Sequence, residues 1–171
     1  MSPKLLIAAL MFVPLAATAW AAGAGSAPRI AETNIIAAQH PYDESADAGS
    51  TIAAAQAKAK VTGKKLMIVF GANWCPDCRA LAGVLAFRDV RDWADKHFVE
   101  VEVDVGRFDR NLDLAGRFGV EVKHGIPAVA VVSPEGNVVN GADASVLADA
   151  RGMTPQSVAD VLARWAQLPS S

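Results

Sequence analysis

The chain holds two cysteines, Cys75 and Cys78, one helical turn apart in Trp74-Cys75-Pro76-Asp77-Cys78. They stand directly behind an apolar run at 66–70, bounded by Lys65 and Gly71, which reads as a buried central strand. Beyond them the pattern predicts a helix over about 75–87. Pro76 favours a helix start there, because its missing N–H would have no partner in a first turn anyway. Strand, turn and helix in that order commit the chain to an α/β layout with the cysteines at the junction. At a helix N-terminus, free N–H groups and the positive dipole end favour a thiolate by roughly 0.3–2 kcal/mol, so a fall of about one pKa unit is expected at Cys75. Cys78 lies within disulfide reach but deeper. Cys75 is therefore the candidate attacking thiol and Cys78 the candidate resolving thiol.

A plain structural disulfide is the rival explanation, but so short a loop removes little entropy from the unfolded chain. Zinc would need two further Cys or His ligands, and His40, His97 and His124 are scattered singly. No metal or other cofactor is expected. With 16 Lys+Arg against 18 Asp+Glu, the chain lacks the dense basic surface needed to grip nucleic acid or an anionic membrane. A length of 171 residues suits one compact domain with an appendage.

That appendage is the amino terminus. Lys4 opens a short positive start, an apolar stretch broken by Pro14 follows, and Ala19-Trp20-Ala21 or Ala22-Gly23-Ala24 supplies a small-residue cleavage site. The stretch is short for a membrane span, so cleavage is expected over an uncleaved anchor. The mature protein would be soluble and exported, in the periplasm or secreted, where an idle thiol pair would oxidise.

In the mature chain, the stretch before Ser45 shows no periodicity and reads as an extended leader. A helix starting at Ser45 or Asp47 should present Ile52, Ala55, Ala59 and Thr62 on one face and stop at Gly63. The stretch 88–96, carrying Trp93, reads as a short helix or turn. Val99, Val101, Val103 and Val105 then alternate with Glu100, Glu102 and Asp104, a strand signature. A short helix over 111–118 leads to a second apolar strand at 128–132. The turn Ser133-Pro134-Glu135-Gly136 signals a hairpin into 137–140. Thr154 caps a final helix with Pro155 in its first turn and Val158, Val161, Leu162 and Trp165 on its apolar face. Gly125-Ile126-Pro127 precedes the second apolar strand, and a proline at that position invites a cis peptide.

Trp-Cys-x-x-Cys behind a buried strand, Gly-Ile-Pro about fifty residues later and an intervening strand ending in Asp104 together resemble the thioredoxin superfamily. The stretch from Gly71 through Arg79, after Gly63-Lys64-Lys65, is most similar to exported bacterial thioredoxin-like proteins of the thiol–disulfide interchange type. The resemblance implies a thioredoxin fold, a central mixed β-sheet with helices on both faces. It also implies the layout 1–21 signal peptide, 22–45 leader, 46–168 thioredoxin-like domain and 169–171 tail. In that family Cys75 would be the nucleophile, Cys78 the resolver and Trp74 a shield over them. Pro127, in cis, would face the disulfide, with Ile126 offering its backbone to a bound substrate chain.

The sequence departs from the family twice. Val69 stands where thioredoxins bury an aspartate that takes the proton from the resolving cysteine. Glu100, on the neighbouring strand and of matching parity, is the candidate replacement. Between the cysteines, Pro76-Asp77 replaces the family's usual pairs. An anionic Asp77 beside Cys75 opposes its thiolate and points toward a reductant. The expected function is therefore a thiol–disulfide oxidoreductase that reduces disulfides of exported proteins, resupplied by a membrane thiol electron donor. A disulfide oxidant or isomerase of the same fold, and a non-catalytic dithiol metallochaperone or binding module, are the alternatives.

Overall fold

The computed structural model describes residues 25–170. The expected signal peptide and both cleavage sites lie outside the described residues. The elements run α1 (Ala48–Thr62), β1 (Lys65–Gly71), α2 (Pro76–Leu85), α3 (Arg88–His97), β2 (Phe98–Asp104), α4 (Leu112–Arg117), β3 (Ala128–Val132) and α5 (Pro155–Gln167). The strands form one mixed sheet, ordered β2-β1-β3, with β1 parallel to β2 and antiparallel to β3.

The sheet separates two cores. Leu66, Ile68 and Phe70 of β1 face one side with the β2 valines, under Ile52, Ala55 and Ala59 of α1. Met67 and Val69 face the other, under Leu81 and Val84 of α2, Val90 of α3, and Val158, Leu162 and Trp165 of α5. Every β1 residue after Lys65 is buried, which accounts for an unbroken apolar run where an edge strand would alternate. Helix ends follow the expected chemistry. Asp47 caps α1 through Ser50 N–H, Gly63 ends it in the left-handed region, and Thr154 caps α5 through Ser157 N–H. Thr62 is a correction: it is exposed, and its hydroxyl turns back to the Lys58 carbonyl at 2.8 Å.

The hairpin after β3 is a second correction. The turn at 133–136 forms, but pairing ends at a single bridge, Val132 to Val138. Asn140 then places its side chain where a fourth strand's backbone would lie. Its Oδ1 accepts Val131 N–H at 2.8 Å and its Nδ2 donates to the Val129 carbonyl at 2.9 Å. Val129 N–H reaches the Ala144 carbonyl. The outer edge of β3 is thus closed by one buried amide and a loop.

The described part of the leader, residues 25–45, contains no helix or strand, yet it is fastened along the domain. Gln156 on α5 bonds Ile30 N–H and the Pro28 carbonyl. Ala38 N–H donates to the Arg79 carbonyl at 2.9 Å, and Arg79 Nε returns a bond to the Ala38 carbonyl at 2.7 Å. Tyr42 and Asn73 exchange bonds as well: Asn73 Oδ1 accepts Tyr42 N–H at 3.0 Å, and its Nδ2 reaches the Tyr42 carbonyl at 2.9 Å.

Candidate active site

β1 leaves the core at Gly71 and delivers the chain through Ala72-Asn73-Trp74 to α2. Cys75 is the N-cap of α2 and Pro76 its first residue. The Cys75 sulfur accepts Cys78 N–H at 3.1 Å, taking the place of a capping oxygen, and lies 3.4 Å from the Ile126 carbonyl, to which its S–H donates. The Ile126–Pro127 peptide is cis. Both cysteines are free thiols; Cys75 is 4% exposed and Cys78 fully buried.

The two thiols polarise one another. The Cys78 S–H hydrogen-bonds the Cys75 sulfur and, with the Cys78 and Asp77 backbone N–H groups, outweighs burial to lower the Cys75 pKa to about 7. The same bond and burial raise that of Cys78. A nucleophilic thiolate and a protonated neighbour are therefore the natural charge state of the pair near neutrality.

Asp77 does not stand free beside Cys75. It is nearly buried, and its Oδ1 accepts both the backbone N–H and Nε of Arg151, each at 3.0 Å. The charge expected to oppose the thiolate is thus held by a cation, and its effect on Cys75 is smaller than those of burial and of the hydrogen bonds to the sulfur. A cleft of about 390 Å³ opens beside Pro76, lined by Thr33, Asn34 and Ile35 of the leader and by Arg79 and Arg151. Trp74 leans away toward the loop after β2: its Nε1 donates to the Gly106 carbonyl at 2.8 Å, its ring meets Phe108 edge-on, and Arg107 lies over it.

The structure does not bring Glu100 to the cysteines. Strand register pairs Glu100 with Met67, Glu102 with Val69, and Asp104 with Gly71, where Cys78 packs. Parity was correct, but Glu100 lies four rows from Gly71, roughly 13 Å along the strand. Burial, with Glu102 and Asp95 nearby, lifts its pKa to about 8. Two residues that pattern-reading passed over do reach the site, Arg151 and Tyr42. A lone acid between two cysteines is a hint of a cationic partner; nothing in the sequence says which arginine it is. Among the described residues, no group of three or more His, Cys, Asp or Glu side chains is placed to hold a metal ion.

A family model described as thioredoxin-like matches residues 47–134, from the α1 cap through both cysteines and β3. The chain belongs to the thioredoxin-like family. Among solved structures it is similar to a disulphide isomerase from Xylella fastidiosa Temecula1, at 45% identity and a TM-score of 0.71, over 73% of this chain and 95% of that one. It also aligns with a DsbH oxidoreductase at 22% identity and a TM-score of 0.41, over 75% of this chain and 96% of that one. A protein of unknown function from Pseudomonas aeruginosa aligns at 19% identity and a TM-score of 0.39, over 69% of this chain and 81% of that one. No curated protein matches it.

Proposed function

We propose that the protein is an exported thiol–disulfide oxidoreductase that reduces disulfides of other exported proteins. The observation carrying this reading is the asymmetry of the dithiol: Cys75 is capped by N–H groups with its pKa lowered to about 7, and Cys78 is one turn away, buried and protonated. Cys75 thiolate attacks a substrate disulfide and releases one substrate thiol. Cys78 then attacks Cys75, its proton passing to the second departing sulfur, and the protein is left with a Cys75–Cys78 disulfide. Ile126 and Pro127, adjoining Cys75, would hold the substrate backbone.

The direction of electron flow is argued from the thiol. A nucleophile near 7 matches thioredoxin, whereas the strong oxidant of the family has a thiol at about 3.5 and a potential of about −120 mV. Regeneration then requires a donor, for which a membrane thiol protein suits an exported enzyme. Of the described residues, no helix is long and apolar enough to cross a membrane. Export rests on the segment 1–21 acting as a cleaved signal peptide, with 46–168 as the thioredoxin-like domain.

Equilibration with glutathione should give a potential at or below about −200 mV, and insulin reduction should vanish in Cys75→Ser. A potential at or above about −150 mV overturns the reductant assignment. A second reading, disulfide isomerase, is favoured by the 45% identical Xylella protein. Reactivation of scrambled ribonuclease without net reduction would select it. A dithiol that binds Cu(I) but exchanges with no disulfide would select the metallochaperone alternative.

A further inference from the structure

Tyr42 and Cys78 share one small space over the end of β1. A Cβ built on Gly71 would collide with the Tyr42 hydroxyl oxygen and lie 2.9 Å from the Cys78 sulfur, so the absent side chain is what admits both groups. Tyr42 is 4% exposed, and its hydroxyl, beside the Cys78 sulfur over Gly71, is placed to hydrogen-bond it. The ring cannot drift, because Asn73, two residues before Cys75, grips the Tyr42 N–H and carbonyl and also reaches Glu44 Oε1 at 2.9 Å.

Burial, with Cys75 and Cys78 on α2 and Glu102 on β2 facing it, raises the Tyr42 pKa well above its ordinary value. The phenol therefore keeps its proton and has an O–H to donate. Asp77 and Arg151, the other charged pair beside the dithiol, bond each other. Toward Cys78 the Tyr42 bond favours the thiolate, against burial and against Cys75. Once Cys75 is tied up in a mixed disulfide, it carries no negative charge to disfavour a second thiolate. The Tyr42 bond remains.

We propose that Tyr42 is a catalytic hydrogen-bond donor for the resolving step, stabilising negative charge on Cys78 where the family's buried aspartate is replaced by Val69. This rests on the thiol-exchange reading above. Cys78 loses its proton and bonds to Cys75; the Cys75–substrate S–S bond breaks, and the departing substrate sulfur takes the electron pair and, through solvent, the proton. Tyr42 ends the step as it began, protonated. The leader thus supplies part of the active site.

Tyr42→Phe keeps the ring and removes the donor. Reduced protein is mixed with oxidised glutathione, quenched in acid, and its glutathione adduct followed by mass spectrometry. In the variant, the adduct should accumulate and decay about tenfold more slowly, with the pH midpoint of decay raised by about one unit. Its rate of formation, set by Cys75, should stay within about twofold. Because the chain has a single tyrosine, growth on fluorotyrosine alters Tyr42 alone. That stronger donor should speed decay by about twofold, a change no packing role predicts. Unchanged decay and pH midpoint in folded Tyr42→Phe, or unchanged decay with fluorotyrosine if that variant does not fold, overturns the proposal. Absence of any glutathione adduct or internal disulfide in the wild type removes the thiol-exchange reading itself, and this one with it.

Discussion

Cys75 gains its acidity chiefly from Cys78, and only then from the helix start. Its sulfur receives the Cys78 S–H and two backbone N–H groups, so the dithiol is a unit in which one member's thiolate is kept by the other's proton. Attack on a disulfide should accordingly rise with pH through about 7 and level off above it. In Cys78→Ser the inflection should move, since a hydroxyl donor replaces the thiol; iodoacetamide alkylation against pH reads this directly. The lowered value also sets a stability sign. Between about 7 and the ordinary 9.0 the native state binds fewer protons than the unfolded chain, so this group makes unfolding harder as pH rises through that window. Glu100 has the opposite sign. Its raised value means the native state holds an extra proton between 4.5 and about 8, and stability is lost as pH climbs through that range. Glu100→Gln should therefore stabilise the fold by about 1–3 kcal/mol above pH ~8, a gain that fades toward pH ~4 in urea titrations. Its thiol-exchange pH profile should match the wild type. A changed profile would restore Glu100 to the role of base. The spacing of Cys75 and Cys78 was legible because a helix start is a local event. Glu100 was misjudged because parity reveals a face and says nothing about the row, and Tyr42 and Arg151 were missed because their contacts join residues 36 and 74 positions from the cysteine or acid they meet.

At the scale of elements, periodic signals translated directly into structure: the unbroken run into central β1, the Val/Glu alternation into edge strand β2, and the Thr-Pro start into α5. The failure was the second arm of the hairpin, and its cause is particular. Asn140 is 4% exposed and its side-chain amide carries a donor and an acceptor at peptide-like spacing, so it closes the β3 edge that further backbone would otherwise pair. No hydrophobic periodicity announces such a substitution. Asn140→Ala would leave Val131 N–H and the Val129 carbonyl unpaired in a buried setting, and should cost about 2–4 kcal/mol. Asn140→Asp keeps the acceptor for Val131 N–H but sets a buried carboxylate oxygen against the Val129 carbonyl, and at neutral pH should cost at least as much as Asn140→Ala. Chemical denaturation measures both, and alkylation of Cys75 should be unaffected because the change lies on the far edge of the sheet from β2 and away from α2.

For the molecule as a whole, the question is how a segment without regular structure becomes part of the folded unit. The leader has separable fastenings: Gln156 holds Pro28 and Ile30, Arg79 holds Ala38, and Asn73 holds Tyr42. Gly83 on α2 makes the middle contact possible, since a Cβ there would run into the Ile36 carbonyl. Gly83→Ala consequently sets two effects against each other. Alanine favours a helix interior by about 1 kcal/mol, while displacing the leader gives up the reciprocal Ala38–Arg79 pair, about 1 kcal/mol for each bond. Global stability should hence change by no more than about 1–2 kcal/mol, too little to unfold the domain. The local consequence is larger. Hydrogen exchange should accelerate at Ala38 N–H in the variant, while Tyr42 N–H, held by Asn73 on the motif loop, should keep its protection. Resolution of the glutathione adduct should then proceed at the wild-type rate. Equal loss of protection at both amides would mean that the leader docks as one cooperative strap, and in that case Gly83→Ala should slow resolution as Tyr42→Phe does.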